Sequence, residues 1–150
     1  MYMKKNNKYF AHKVSFRGMV FDSRYELNRY LYLQFQCKMN EIQDLRRQVS
    51  FLIIPKTVRL VPKRLKTKVK MEERVVEQES VYTCDFLYRE GDKYVIEEFK
   101  SEYTAKLQDY ILRRKLMIRK IYEHNAKKRS QWIFRSCVYS ERGQLTITDK

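Results

Sequence analysis

The stretch VYTCDFLYREGDKYVIEEFK, residues 81–100, decides how this chain is read. Residues 81–88 are rich in β-branched and aromatic side chains, Gly91-Asp92 supplies a turn within residues 89–93, and residues 94–100 are again strand formers. The pattern predicts a β-hairpin. Side chains alternate between faces along a strand, so Asp85 is expected beside Val81, Thr83 and Leu87. In the second strand Ile96, Glu98 and Lys100 share one face, while Val95, Glu97 and Phe99 take the other. Closing the hairpin brings Asp85 towards Glu98 and Lys100. Two carboxylates and an ammonium on one sheet surface suit a hard divalent cation held beside water. Mg²⁺ takes oxygen ligands, keeps several waters and needs only one or two protein carboxylates.

An acid-x-Lys triplet also occurs in many strands as an ion pair of little worth. What raises it here is its company. The chain carries 33 Lys and Arg against 18 Asp and Glu, a net charge of +15 in 150 residues, with a sequence pI near 9.8. Such an excess implies a polyanionic partner, nucleic acid before membrane. A merely solvated basic surface carries the same charge. The composition is globular, with 43% hydrophobic residues, 12 Tyr and 8 Phe, and 3 Gly and 2 Pro leave little room for linkers. One domain is expected over residues 1–150. Cys37, Cys84 and Cys137 form no CxxC pair, which argues against a zinc site or disulfide framework and for a reducing, intracellular setting. No apolar run is long enough to span a bilayer, and residues 1–10 lack the apolar core of a signal peptide.

Around the hairpin the remaining elements follow in order. Residues 1–13 are basic and polar, and residues 14–21 read as a small hairpin turning at Arg17-Gly18. A helix over residues 24–39 opens on Ser23 and Glu26 in a capping-box pattern, with Leu27, Tyr30, Leu31, Leu33 and Phe35 on a broad apolar face. Glu26 is either the capping acid or a helix-borne carboxylate reaching the metal site. Residues 41–47 read as a link to a strand over 49–54. Gln48, just before it, is a loop residue or an amide that orients a phosphate or water.

Residues 56–80 read as a two-stranded β-ribbon arm with Lys63, Arg64, Lys66, Lys68 and Lys70 at its tip. Such a run serves as a solvated edge that discourages aggregation or as an arm that embraces nucleic acid. A second helix is expected over 105–125, packing through Leu107, Tyr110, Ile111, Met117, Ile118, Ile121 and Tyr122. Lys106, Arg114 and Lys115 near its start are the better phosphate contacts. Residues 131–139 read as a last strand, followed by a polar tail. The order gives an α/β or α+β fold, a mixed central sheet flanked by helices.

Asp85, Glu98 and Lys100 with Glu26 upstream resemble the PD-(D/E)XK nuclease superfamily. The chain is most similar there to a small phage and prophage family of Holliday-junction-resolvase-like endonucleases. The likeness is carried by NKYFAHKV (7–14), FDS (21–23), Glu26, Arg29-Tyr30, Gln48, YTCDF (82–86), EEFK (97–100) and Arg114-Lys115-Leu116, and spans residues 7–122. Cys84 stands at the position of the proline that names the superfamily, and Ser101 where many relatives have glycine.

The resemblance implies a restriction-endonuclease-like core and a Mg²⁺-dependent DNA endonuclease, Mn²⁺ substituting. Asp85, Glu98, the Phe99 backbone carbonyl and Glu26 would hold the metal, with Lys100 as the catalytic lysine. Two neighbouring acids raise the pKa of a lysine, which favours an electrostatic role for Lys100 over a general base. Action on branched DNA implies a homodimer and, for a phage enzyme, the host cytoplasm. No small-molecule cofactor beyond the metal and no membrane partner is expected. The rival expectations are a non-catalytic nucleic-acid-binding module and an accessory nuclease subunit of a transposition or packaging complex.

Overall fold

A computed structural model describes residues 12–128 and 130–150 of the chain. Residues 1–11, which hold most of the basic opening segment and the first part of NKYFAHKV, lie outside the described residues, as does Arg129. The chain opens with a hairpin of β1 (Val14–Phe16) and β2 (Met19–Phe21), turned by Arg17 and Gly18 at positive φ. Helix α1 (Arg24–Lys38) starts at Ser23, whose Oγ accepts from the Glu26 amide at 3.1 Å. It stops where Asn40 adopts φ +59°, and the Asn40 and Glu41 amides return to the Cys37 and Gln36 carbonyls.

Then follow β3 (Gln43–Ile54), β4 (Thr57–Arg64), β5 (Val69–Glu77), β6 (Ser80–Glu90) and β7 (Lys93–Ser101). A 3₁₀ turn (Thr104–Lys106) leads into α2 (Gln108–Lys127), β8 (Gln131–Tyr139) and β9 (Leu145–Asp149). Five strands form one mixed sheet in the order β3-β6-β7-β8-β9. β7 and β8 are parallel with α2 as their crossover, and the other pairs are antiparallel. Leu27, Tyr30 and Leu33 of α1 pack on one face with Phe86, Tyr88, Val95 and Phe99. Met117 and Ile121 of α2 pack on the other with Tyr82, Leu87, Ile96 and Phe134. This is an α+β architecture with a helix on each side of a mixed sheet, as expected.

Several sequence expectations need correction. The sheet strand begins at Gln43, so residues 43–47 are no link. Leu45 and Arg47 point at the α1 side, and the Arg47 guanidinium lies 3.9 Å from the Phe21 ring centroid, packing as an aromatic-stacked stem. Leu31 and Phe35 of α1 face outward because the buried stripe runs through Leu27, Tyr30 and Leu33. Tyr122 is likewise exposed. α2 starts at Gln108, since Ser101 Oγ caps the Thr104 amide and winds residues 104–106 into the 3₁₀ turn first.

The polar tail contains a strand. Arg135 holds Asp149 bidentately at 2.7 and 2.8 Å, and the Phe134 and Lys150 backbones exchange two hydrogen bonds. Gly143, at φ +78°, makes the turn into β9, where a Cβ would meet the Tyr25 ring at 3.1 Å.

β4 and β5 pair only with each other among the described residues. Cross-strand partners Val58–Val75 and Pro62–Met71 lie on one face, and Arg59–Arg74 and Lys63–Lys70 on the other. Lys66 sits in the turn closed by the Leu65 amide on the Lys68 carbonyl. No helix among the described residues is long and apolar enough to cross a membrane.

Candidate functional site

The hairpin that organises the sheet is only half closed. β6 and β7 pair from Phe86↔Glu97 to Glu90↔Lys93 around the Gly91-Asp92 turn. Beyond Phe86 the two strands part. β6 continues against β3 to Ser80, and β7 continues against β8 to Ser101. Each strand keeps its outer partner while losing its inner one, which leaves a V-shaped seam in the middle of the sheet. Asp85, Glu98 and Lys100 stand at that seam.

A change of faces accompanies the opening. In β6, Tyr82 and Cys84 pack on the α2 side, whereas Phe86 and Tyr88 pack on the α1 side. In β3, Leu45 packs towards α1 and Val49, Phe51 and Ile53 towards α2. Both strands switch at one level, where Gln48 takes φ +51° and no Gln48–Asp85 rung forms between Arg47↔Phe86 and Val49↔Cys84. Strict alternation along residues 81–88, expected from sequence, is therefore broken at Asp85. The reason is the left-handed residue opposite it. Along β7 the expected alternation holds, with Val95 and Phe99 on the α1 side and Ile96 on the α2 side.

Asp85 fills the gap that the parting strands create. Its Oδ2 accepts the Phe99 amide at 2.8 Å, in place of a ladder partner, and its Oδ1 accepts from the Gln48 side-chain amide at 3.3 Å. Glu98 is tied at both oxygens, Oε1 to Lys100 Nζ at 2.5 Å and Oε2 to the Tyr82 hydroxyl at 2.5 Å. Lys100 Nζ also lies 4.0 Å from Asp85 Oδ2, so one ammonium faces both carboxylates. Glu26 Oε2 accepts the Asp22 amide at 2.8 Å, which shifts the expected capping box by one residue. Its Oε1 lies 4.0 Å from an Arg47 nitrogen.

Burial, then the charge of Glu98, push Asp85 up from 3.8 to about 7. Burial, then the charge of Asp85, raise Glu26 from 4.5 to about 7, so these two carboxyls sense one another. Burial works to lower Lys100, but Glu98 and then Asp85 outweigh it and hold the amine above its ordinary value. Burial and the Glu98 carboxylate likewise push the Tyr82 hydroxyl up. Lys100 is thus an ammonium at neutral pH.

Two adjacent acids in EEFK are sorted by the sheet. Glu97, fully buried on the α1 face, accepts both arms of Arg29 at 2.7 and 2.9 Å and the Tyr88 hydroxyl at 2.6 Å. It has a complete structural set. Glu98 is the acid brought to Asp85. Among the described residues no three His, Cys, Asp or Glu side chains are grouped so as to hold a metal ion. The oxygen-only pair Asp85 and Glu98 fits a hard cation whose remaining positions go to water and substrate.

The expected nucleic-acid contacts are spread more widely. Gln48 touches Asp85. Lys106, in the 3₁₀ turn, and Lys115 are exposed, while Arg114 is half-buried with its guanidinium 5.6 Å from the Tyr110 ring centroid. Lys63 pairs with Glu72 at 3.1 Å on the ribbon, and Arg64 and Lys66 are exposed at its end. Tyr82 carries no sequence signal of a place in the site. Simple alternation puts it on the opposite face from Asp85, and only the switch at Asp85 makes the two converge.

The family model described as "Protein of unknown function (DUF1064)" matches residues 6–141, and the chain belongs to this family. No curated protein and no solved structure matches it.

Proposed function

We propose that this DUF1064 member is a Mg²⁺-dependent DNA endonuclease on a restriction-endonuclease-like core. The observation that carries the reading is the convergence of Asp85 and Glu98 on Lys100 at the opened seam. Three buried carboxyls, Glu26, Asp85 and Glu98, meet two nearby cations, Lys100 and Arg47. Two of the three acids are held near neutrality by burial, which marks a site with acidic capacity beyond its own counter-ions. A further hard cation meets that demand.

Asp85 and Glu98 would hold it, with the Phe99 carbonyl as a further oxygen and Glu26 as the outer carboxylate. When bound, Mg²⁺ or Mn²⁺ stabilises charge on the phosphate oxygens and lowers the pKa of a coordinated water. The chain's own groups do the rest. The Phe99 amide and Gln48 fix the Asp85 carboxylate, and Tyr82 fixes that of Glu98. Lys100, kept protonated, faces the phosphate and neutralises charge as the P–O bond breaks. Lys106, Arg114, Lys115 and the ribbon cations Lys63, Arg64 and Lys66 bind the phosphate backbone. On branched DNA, paired cuts would come from a homodimer.

Incubation with duplex, branched and single-stranded DNA in Mg²⁺ or Mn²⁺ tests this. Wild-type protein is expected to cut, and Asp85→Ala and Glu98→Ala to lose about 100-fold or more of that activity while staying folded. Full cleavage by either variant would remove the assigned site. A second reading has its own support, since Asp85 and Glu98 each have protein partners that a structural ion-pair cluster would need. On that reading the protein binds nucleic acid in a salt-dependent, metal-indifferent way and nicks nothing.

A further inference from the structure

Beside Glu98 lies a cleft of about 410 Å³, and Val81, Leu107 and Arg113, which help to line it, have no part in the chemistry above. Glu98 and Lys100 form its floor. One wall is the outer stretch of β6 at Val81, and the other is the start of α2 with Leu107, Tyr110 and Arg113. The cleft exists because β6 leaves β7 at this level. Its sides mix apolar and polar groups: Val81, 47% exposed, and Leu107 stand among Thr83, Thr104 and Asp109, while Tyr110 is buried beneath the Lys100 ammonium, 5.7 Å from its ring centroid. Arg113 is bound to Asp109 at 3.2 Å.

The cleft volume lies in the range of about 300–1,000 Å³ that encloses a single small ligand. Continuous B-DNA has nothing to put in such a slot. Its bases are stacked and paired, and proteins reach them only through grooves about 6–12 Å wide. A nucleotide released from its partner does fit: its phosphate seeks cations, and its base gains from shelter against apolar surface.

We infer that this cleft receives one unpaired nucleotide of the substrate, with its phosphate on Lys100 and Arg113 and its base against Val81 and Leu107. The inference rests on the nuclease reading for its floor and adds a substrate class. The favoured DNA has an unpaired or extruded nucleotide at the reacting phosphate. Because the polar side chains of the walls are engaged within the protein, Thr83 with Ser50, Thr104 with Ser101 and Asp109 with Arg113, recognition follows the absence of pairing more than base identity.

Binding in EDTA separates this from cleavage. Fluorescence anisotropy would compare an intact duplex with the same duplex interrupted by unpaired thymidines. Wild-type protein is expected to bind the interrupted duplex at least about tenfold more tightly, as shelter of one base against apolar surface permits. Val81→Trp fills the cleft from one wall and Leu107→Trp from the other, and each should bring the two affinities within about twofold. Equal affinities for wild type, or a preference that survives both substitutions, would overturn the inference. A wild-type enzyme that cuts without this preference retires the cleft proposal and leaves the nuclease reading standing. A preference without any metal-dependent cleavage does the reverse.

Discussion

Glu97 and Glu98 are neighbours in sequence, both buried and both on β7, yet they sit in opposite kinds of surroundings. Glu97 meets Arg29, which donates twice, and Tyr88, whose hydroxyl is in turn held by Arg135 at 3.0 Å. Glu90 and Asp149 then close around Arg135. In that network the counter-charge is a planar fork matched to the carboxylate. Glu98 meets a lysine shared with Asp85, at the opened edge of a cleft. Satisfaction is complete on one face of the strand and strained by like charge on the other. Charge burial alone therefore does not mark a reactive site. The mark is an acid whose nearest competitor for a cation is another acid.

The contrast is broken most severely from the Glu97 side. Glu97→Ala leaves the Arg29 guanidinium buried without a counter-charge and should cost about 3–5 kcal/mol, read by urea titration. Glu98→Gln should change stability far less, because it also relieves the pressure on Asp85. A similar loss from both would erase the distinction.

The next effect is on pH. Asp85 and Glu26 both titrate near 7 in the fold and near 4 when unfolded. The folded state therefore binds more protons between about pH 4 and 7. The stability these groups contribute is complete below pH 4 and is lost as pH rises to 7. In metal-free buffer, Asp85→Asn should remove part of that fall and stabilise the protein at pH 8 by on the order of 2–4 kcal/mol. An unchanged pH profile would show that Asp85 is not the group under pressure.

Gln48 sharpens the comparison at smaller scale. Its backbone is left-handed, and its amide is a partner of Asp85. Gln48→Gly relaxes the backbone by up to about 1 kcal/mol while deleting the amide. Thermal stability should hold or rise, and cleavage should fall about fivefold, equivalent to about 1 kcal/mol. The smallest effect is expected at the ribbon. Lys66→Glu should leave cleavage of a bound substrate intact and lower the salt dependence of DNA binding by roughly one phosphate contact. An unchanged salt slope would leave the ribbon as a solvated edge.

Much of this was legible in the sequence. Strand propensity and the Gly91-Asp92 turn placed the hairpin, helical spacing placed α1 and α2, and residues 131–139 matched β8 end to end. Alternation along β7 already separated Glu97 from Glu98. What escaped depends on distant partners. Residues 43–47 look polar, and only Phe21 and Tyr30 beside Arg47 make them a sheet strand. β9 has a weak local pattern and is held by Arg135, fourteen residues from Asp149. The switch of faces at Gln48 and Asp85 leaves no trace in either strand alone. The place of Tyr82 beside Glu98 is illegible in the sequence for that reason.

The half-closed hairpin also has a mechanical side. Five rungs, from Phe86↔Glu97 to Glu90↔Lys93, join the β3-β6 portion of the sheet to the β7-β8-β9 portion. The two portions act as plates on a short hinge, with Asp85 on one and Glu98 on the other, both just past its end. A rotation about those rungs would change the gap between the two acids, and the Phe99–Asp85 and Tyr82–Glu98 hydrogen bonds across the seam oppose it. Repacking near Tyr88 or Tyr94, well away from the cleft, would retune the grip on a cation without touching either acid.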